Sequence, residues 1–248
     1  MGDEHGGRRH RFSLAEHRRP ADQPGYGGRH TCGGGRLSNR VLFVCAANVC
    51  RSPFMAATFS EAHVRRGDDI DWTVLSRGIS VVREHPMCRL AVSLLDASTQ
   101  DATSAASHVS TQIAQSDLDE HDLIIAASRE ERARLARMQP STRSRTFTLK
   151  EAVALGRPPL DAGERGRVLT EAPSTLAGYA EFLDQRRGRI RVPQQTGVRF
   201  PWSAHDDPRD VPDVHHDSTR RHTRVLKESR ELVRELHSQL SHHLNAGA

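Results

Sequence analysis

Leu42-Phe43-Val44 is a continuous apolar run that follows a polar stretch, and it predicts a buried strand. Ala46 to Arg51 has no periodicity and reads as a loop. Ser52-Pro53 then predicts a helix start, with Ser as N-cap and Pro at the first helical position, where a missing N–H has no partner to lose. Met55, Phe59 and Ala62 give this helix an apolar face, and Gly67 suits its end. The alternation continues with a strand at Trp72–Leu75 and an amphipathic helix at Pro86–Leu95, on whose inner face Cys88 lies as a core residue. Leu123–Ala127 is a third strand, followed by the capping-box pattern Ser128-Arg129-Glu130-Glu131. Arg145–Phe147 is a fourth, and Thr148-Leu149-Lys150-Glu151 repeats the capping box.

Strands alternating with helices of this length imply right-handed βαβ units around a parallel sheet, so the fold class is α/β. From Gly156 to His205 the pattern weakens, with Pro158-Pro159, Gly163 and Gly166 as breakers and one helix around Leu176–Arg187. Residues 156–205 read as an insertion or lid. Val225, Leu232, Leu236 and Leu240 recur at helical spacing and predict a long helix over Ser218–Leu244 that packs on the sheet.

Composition adds a tail to this picture. Hydrophobic residues make up 36% of the 248 residues, low enough to imply an ordinary core diluted by polar segments. Residues 1–40 hold eight Arg against four acids and nine of the 18 glycines, so most of the net charge of +5 sits there. Residues 1–39 therefore read as a disordered, solvated tail rather than a nucleic-acid-binding arm, and residues 40–248 as the folded domain. The longest apolar run, Val41–Ala47, is far short of a membrane span, and no signal-peptide pattern opens the chain. The expectation is a cytoplasmic protein with Cys32, Cys45, Cys50 and Cys88 reduced, and with neither nucleic acid nor membrane as partner.

The candidate chemistry lies in Val44-Cys45-Ala46-Ala47-Asn48-Val49-Cys50-Arg51-Ser52-Pro53. Cys-x5-Arg alone carries little weight, because all but two of the 36 basic residues are arginine and about half a match is expected by chance. The context gives it weight. A strand delivers Cys45, and a helix begins after the loop, so several backbone N–H groups and the helix dipole converge on one anion. Arg51 can grip phosphate oxygens with two prongs. The same field favours the nucleophilic thiolate at Cys45, and Ser52 can donate to it. A thiolate beneath a bound phosphate is poised for in-line attack on phosphorus.

This motif resembles the low-molecular-weight protein tyrosine phosphatase family and its arsenate-reductase relatives, over about Val41–Leu155 and Asp210–Leu244, including Ser76-Arg77-Gly78. The resemblance implies a four-stranded parallel sheet with helices on both faces. It also implies Cys45 as nucleophile, Arg51 as phosphate ligand, Asn48 as loop organiser and Ser52 as support for the thiolate. Ala46, Ala47, Asn48, Val49, Cys50 and Ser52 become the substrate-binding loop, and Cys50 a residue able to form a reversible disulfide with the nucleophile. Family members usually carry Gly where this chain has Ala47, a change that strains the loop only if that position needs positive φ.

The family's general acid is an Asp, usually followed by Pro, before the last helix. Asp213 and Asp207, the latter in Asp207-Pro208, are both candidates, with Asp213 preferred for its distance from the last helix. Val214-His215-His216 stands where family members carry aromatics. The expected activity is phosphomonoester hydrolysis, as a protein tyrosine phosphatase acting through phosphocysteine, on a phosphorylated protein or a small phosphomonoester. Arsenate reduction with an external thiol is the first alternative, since Cys88 has no nearby second Cys in sequence for a relay. A non-catalytic phosphate-binding relative is the second. No cofactor is expected, and no metal. Cys45, Cys50, His215 and His216 could be imagined as zinc ligands, but no Cys-x2-Cys or His-x3-His spacing supports them.

Overall fold

The computed structural model of the chain describes residues 39–95, 105, 107–157, 174–188 and 207–245. The tail at 1–38 and most of 156–205 lie outside these residues, so the tail and lid readings find no structural counterpart here.

Four strands form one parallel sheet in the order β2-β1-β3-β4: β1 Asn39–Cys45, β2 Trp72–Gly78, β3 Leu123–Ala126 and β4 Thr146–Thr148. The helices are α1 Arg51–Arg66, α2 Arg89–Leu94, α3 Gln115–Glu120, α4 Arg129–Met138, α5 Leu149–Gly156, α6 Leu176–Arg186 and α7 Thr219–Asn245, with a 3-10 turn at Pro140–Arg145. The expected α/β class and parallel four-stranded sheet are observed.

The pleat of β1 explains its unbroken apolar run. Val41, Phe43 and Cys45 enter the core beneath α1, α5 and α7, while Leu42 and Val44 enter the opposite one with Ile79, Leu118 and Leu135. Both faces are covered, so both must be apolar.

Three details differ from expectation. Helix α1 begins at Arg51, with Cys50 at the cap and no side-chain cap bond. Ser52 therefore sits inside the first turn, and its hydroxyl is free for other work. The helix predicted over Pro86–Leu95 is reduced to six residues. At α4 the Ser128 hydroxyl accepts from the Glu131 N–H, but the Glu131 carboxylate does not return to the cap backbone as a capping box requires. The Thr148–Glu151 box is complete. Within 156–205, the expected helix is present as α6, and its Leu176, Tyr179 and Leu183 join the main core. The long last helix runs as expected and packs across α1 and α5.

Candidate active site

The loop from Cys45 to Arg51 joins the C-terminal edge of the central strand to α1, where α/β folds bind ligands. The first α-helical bond runs from Phe54 N–H to the Cys50 carbonyl, so the N–H groups of Arg51 and Ser52 have no partner one turn earlier. They are available to an anion.

Asn48 holds the loop together. Its φ of 55° makes it the one non-glycine residue with positive φ among those described. Its amide nitrogen donates to Ser52 Oγ and Ser76 Oγ, both at 2.9 Å, and its Oδ1 accepts from Thr111 N–H at 2.8 Å. The Asn48 carbonyl accepts from His108 Nε2 at 2.8 Å, a contact that assigns the ring proton to that nitrogen. Burial, opposed in part by this bond, lowers the His108 pKa. The left-handed position in this loop is thus filled by an Asn, a residue that tolerates it. Ala47 precedes it, is exposed and has no positive φ, so its methyl group does not strain the loop.

The sulfur of Cys45 is buried, 3.0 Å from Ser52 Oγ and 3.3 Å from the Asn48 N–H. Ser52 Oγ accepts from Asn48, so its single proton goes either to Cys45 or to the Arg77 carbonyl at 3.2 Å. An anionic sulfur competes well for that proton.

Arg51 is buried to 7% exposure, and one nitrogen, Nη2, faces two carboxylates: Asp213 at 2.6 Å and Glu131 at 3.2 Å. Its Nη1 donates to the Val211 carbonyl at 3.3 Å. Burial works against the charge, yet Glu131, Cys45 and Asp213 together raise the Arg51 pKa above its ordinary value. Glu131 approaches from the buried side. Asp213 approaches from solvent, its side chain 57% exposed.

The segment carrying Asp213 is tied down at several points. Val211 N–H donates to the Ala127 carbonyl, Asp210 Oδ1 accepts from the Arg129 N–H at the start of α4, and Val211 and Val214 are buried on either side of Asp213. Asp207 lies elsewhere. It pairs with Arg209 and with Arg129, and the hydrogen bond from Arg209 holds its carboxyl well below the usual carboxylate range. Such a carboxyl is a poor proton donor, and it does not meet Arg51.

Several contributors were not legible beforehand. Glu131 reads as a capping residue, and its contact with Arg51 spans 80 positions. Thr111 and His108 belong to a segment without strand or helix periodicity, joined to β2 by a bridge between Gly78 and Gln112. Cys88, read as a core thiol without a nearby second Cys, is half-buried and stands beside Cys50.

Residues 40–157 match the model of the family described as low molecular weight phosphotyrosine protein phosphatase. Through this segment the chain is similar to the low-molecular-weight phosphotyrosine phosphatases. The chain is 26% identical over 151 residues to a protein-arginine-phosphatase of Bacillus subtilis strain 168, covering 61% of this chain and 91% of that one. Its fold is shared with the crystal structure of a YwlE mutant from Bacillus subtilis, at 21% identity and a TM-score of 0.52, with 82% of this chain and 99% of that one covered. A low molecular weight protein tyrosine phosphatase from T. tengcongensis is also similar, at 20% identity and a TM-score of 0.50, covering 80% and 97%. Cysteine-dependent phosphatase chemistry is the family activity.

Proposed function

We propose that Cys45, Arg51 and Asp213 carry the reaction, with the backbone of Ala46–Cys50 and the hydroxyl of Ser52 completing the site. The single observation that supports this most strongly is the convergence of the Cys45 sulfur, the Ser52 hydroxyl and an Arg51–Asp213 pair around one loop at a helix N-terminus.

An incoming phosphoryl dianion binds the loop N–H groups and takes over Arg51 Nη2, releasing Asp213 toward the leaving group. The Cys45 thiolate attacks phosphorus in line; the S–P bond forms as the bond to the leaving oxygen breaks. Asp213, as the carboxylic acid, gives its proton to that oxygen. In the second step the Asp213 carboxylate takes a proton from water, the water oxygen attacks phosphorus, and the P–S bond breaks to return the thiolate and inorganic phosphate. Charge stabilisation by Arg51 and the preset N–H groups is the largest contribution.

The substrate class we favour is phosphotyrosine in proteins, in keeping with the family description. Phosphoarginine in proteins is the second reading. Two observations favour it: the relative is a protein-arginine-phosphatase, and among the described residues every Phe, Tyr and Trp is buried, leaving none to flank a phenyl ring.

The test compares wild type, Asp207→Asn and Asp213→Asn on aryl and alkyl phosphates and on phosphotyrosyl and phosphoarginyl peptides. Asp213→Asn should lose on the order of 10²–10⁴ in kcat/KM with an alkyl leaving group and less with p-nitrophenolate, which departs without help. Asp207→Asn should stay within a few-fold of wild type. Equal loss in both variants would remove Asp213 from the acid role, and turnover of neither peptide would remove the protein-phosphatase reading.

A further inference from the structure

Behind the phosphate loop, four side chains from four segments converge. Cys50 belongs to the loop, Cys88 caps the short α2, His215 follows Asp213, and His222 lies in the first turn of α7. One donor atom from each lies within 4.8 Å of the other three, and Cys50 Sγ is 3.0 Å from His222 Nε2. We propose that Cys50, Cys88, His215 and His222 form a binding site for one zinc ion, which clamps the phosphate loop to the Asp213 segment and to the last helix.

Two thiolates and two imidazoles are the donor set of closed tetrahedral zinc sites, and they discriminate against calcium and magnesium, which take oxygen ligands. With Zn–S near ~2.3 Å and Zn–N near ~2.0–2.1 Å, the edges of such a tetrahedron measure roughly 3.3–3.8 Å. The widest donor spacing here must close by about 1 Å and the Cys50–His222 pair must open by about half that, changes within reach of side-chain rotation. Cys50 and His222 are buried, Cys88 is half-buried and His215 is exposed, so the site has a core side and an entry side.

Zinc binding replaces two thiol protons: two S–H bonds break, two S–Zn bonds form, and the cluster changes from neutral to neutral. No change of oxidation state occurs. None of the usual ligand spacings is present, because each ligand comes from a different element.

The consequence reaches the site described above. Cys50 directly precedes Arg51, and His215 N–H donates to Asp213 Oδ1 at 3.4 Å. A metal holding both ligands fixes the spacing between the phosphate-binding arginine and the carboxylate. The binding assay uses no substrate, so its failure would leave the phosphatase reading standing.

The test titrates the full-length chain, chelator-stripped and kept reduced, first with Co(II) and then with Zn(II). One ion per chain is expected, with the d–d pattern of tetrahedral cobalt, a thiolate-to-cobalt charge-transfer band and about two protons released near neutral pH. X-ray absorption of the zinc-loaded wild type should show two sulfur and two nitrogen neighbours, a measurement that needs no variant to fold. Cys88→Ser should halve the charge-transfer band and weaken binding on the order of tenfold or more, and Cys45→Ser should change neither. Absence of stoichiometric binding, a first shell without sulfur, or binding lost in Cys45→Ser but kept in Cys88→Ser would each overturn the proposal.

Discussion

Asn48 does two things that no other residue type does together. It accepts the left-handed backbone and spends its amide on both sides of the loop. The two roles separate by substitution. Asn48→Gly keeps the φ and loses the amide bonds, whereas Asn48→Ala loses the bonds and adds strain of about 1–2 kcal/mol. Urea unfolding should therefore rank wild type above Asn48→Gly and Asn48→Gly above Asn48→Ala by about that amount; equal stability of the two variants would remove the strain argument. The same residue explains why Ala47 is tolerated. At this scale the sequence is readable for Cys45, Asn48, Arg51 and Ser52, because their roles depend on near neighbours in one loop. It is silent on Glu131 and His108, whose importance comes from partners brought in by the fold. It leaves Asp213 and Asp207 both open, and only the placement of Arg129, Arg209 and Arg51 separates them.

Strand β2 ends at Gly78, and here the element explains the residue. A Cβ at this position would lie 2.6 Å from Val81 Cγ2, 2.8 Å from the Ala46 carbonyl oxygen and 3.0 Å from the Ala47 carbonyl carbon. The strand end and the phosphate loop touch backbone to backbone, stitched by Ile79 N–H to the Cys45 carbonyl and Ser80 N–H to the Ala46 carbonyl. Gly78→Ala must push the loop outward. It should cost about 1–3 kcal/mol in stability and reduce kcat/KM on p-nitrophenyl phosphate more than it reduces secondary structure by circular dichroism. A variant with wild-type kinetics would contradict the close approach. The strands β1 and β3 are legible from their unbroken apolar runs, since burial on both faces leaves no other pattern. The start of α1 is placed two residues late from sequence, because Ser52-Pro53 resembles a cap while the serine hydroxyl faces Cys45 instead.

Over the whole molecule, α7 closes the core above α1, and its His237 is buried against Phe59 with ring centroids 4.8 Å apart. Burial, together with His63 and Arg66 and against the opposing pull of Asp68, lowers the His237 pKa from 6.5 to about 4. Above about pH 6.5 the ring is neutral in both folded and unfolded chains. As pH falls from there toward 4, the unfolded chain takes up a proton that the folded chain refuses, so stability declines through that window. His108, His121 and His222 are shifted the same way and add to the slope. His237→Phe, which keeps a ring beside Phe59, should make thermal stability less dependent on pH between 6.5 and 4.5; an unchanged slope would exclude His237 as a contributor. The central claim concerns chemistry at one sulfur, and trapping tests it most directly. Asp213→Asn, mixed with p-nitrophenyl phosphate, should form the intermediate readily and hydrolyse it slowly, because the leaving group needs no acid while water still needs a base. After acid quench, mass spectrometry of the peptide containing Cys45 should show the added mass of one phosphoryl group, absent from Cys45→Ala. Phosphate release by Asp213→Asn with no adduct on Cys45, or continued turnover by Cys45→Ala, would contradict it.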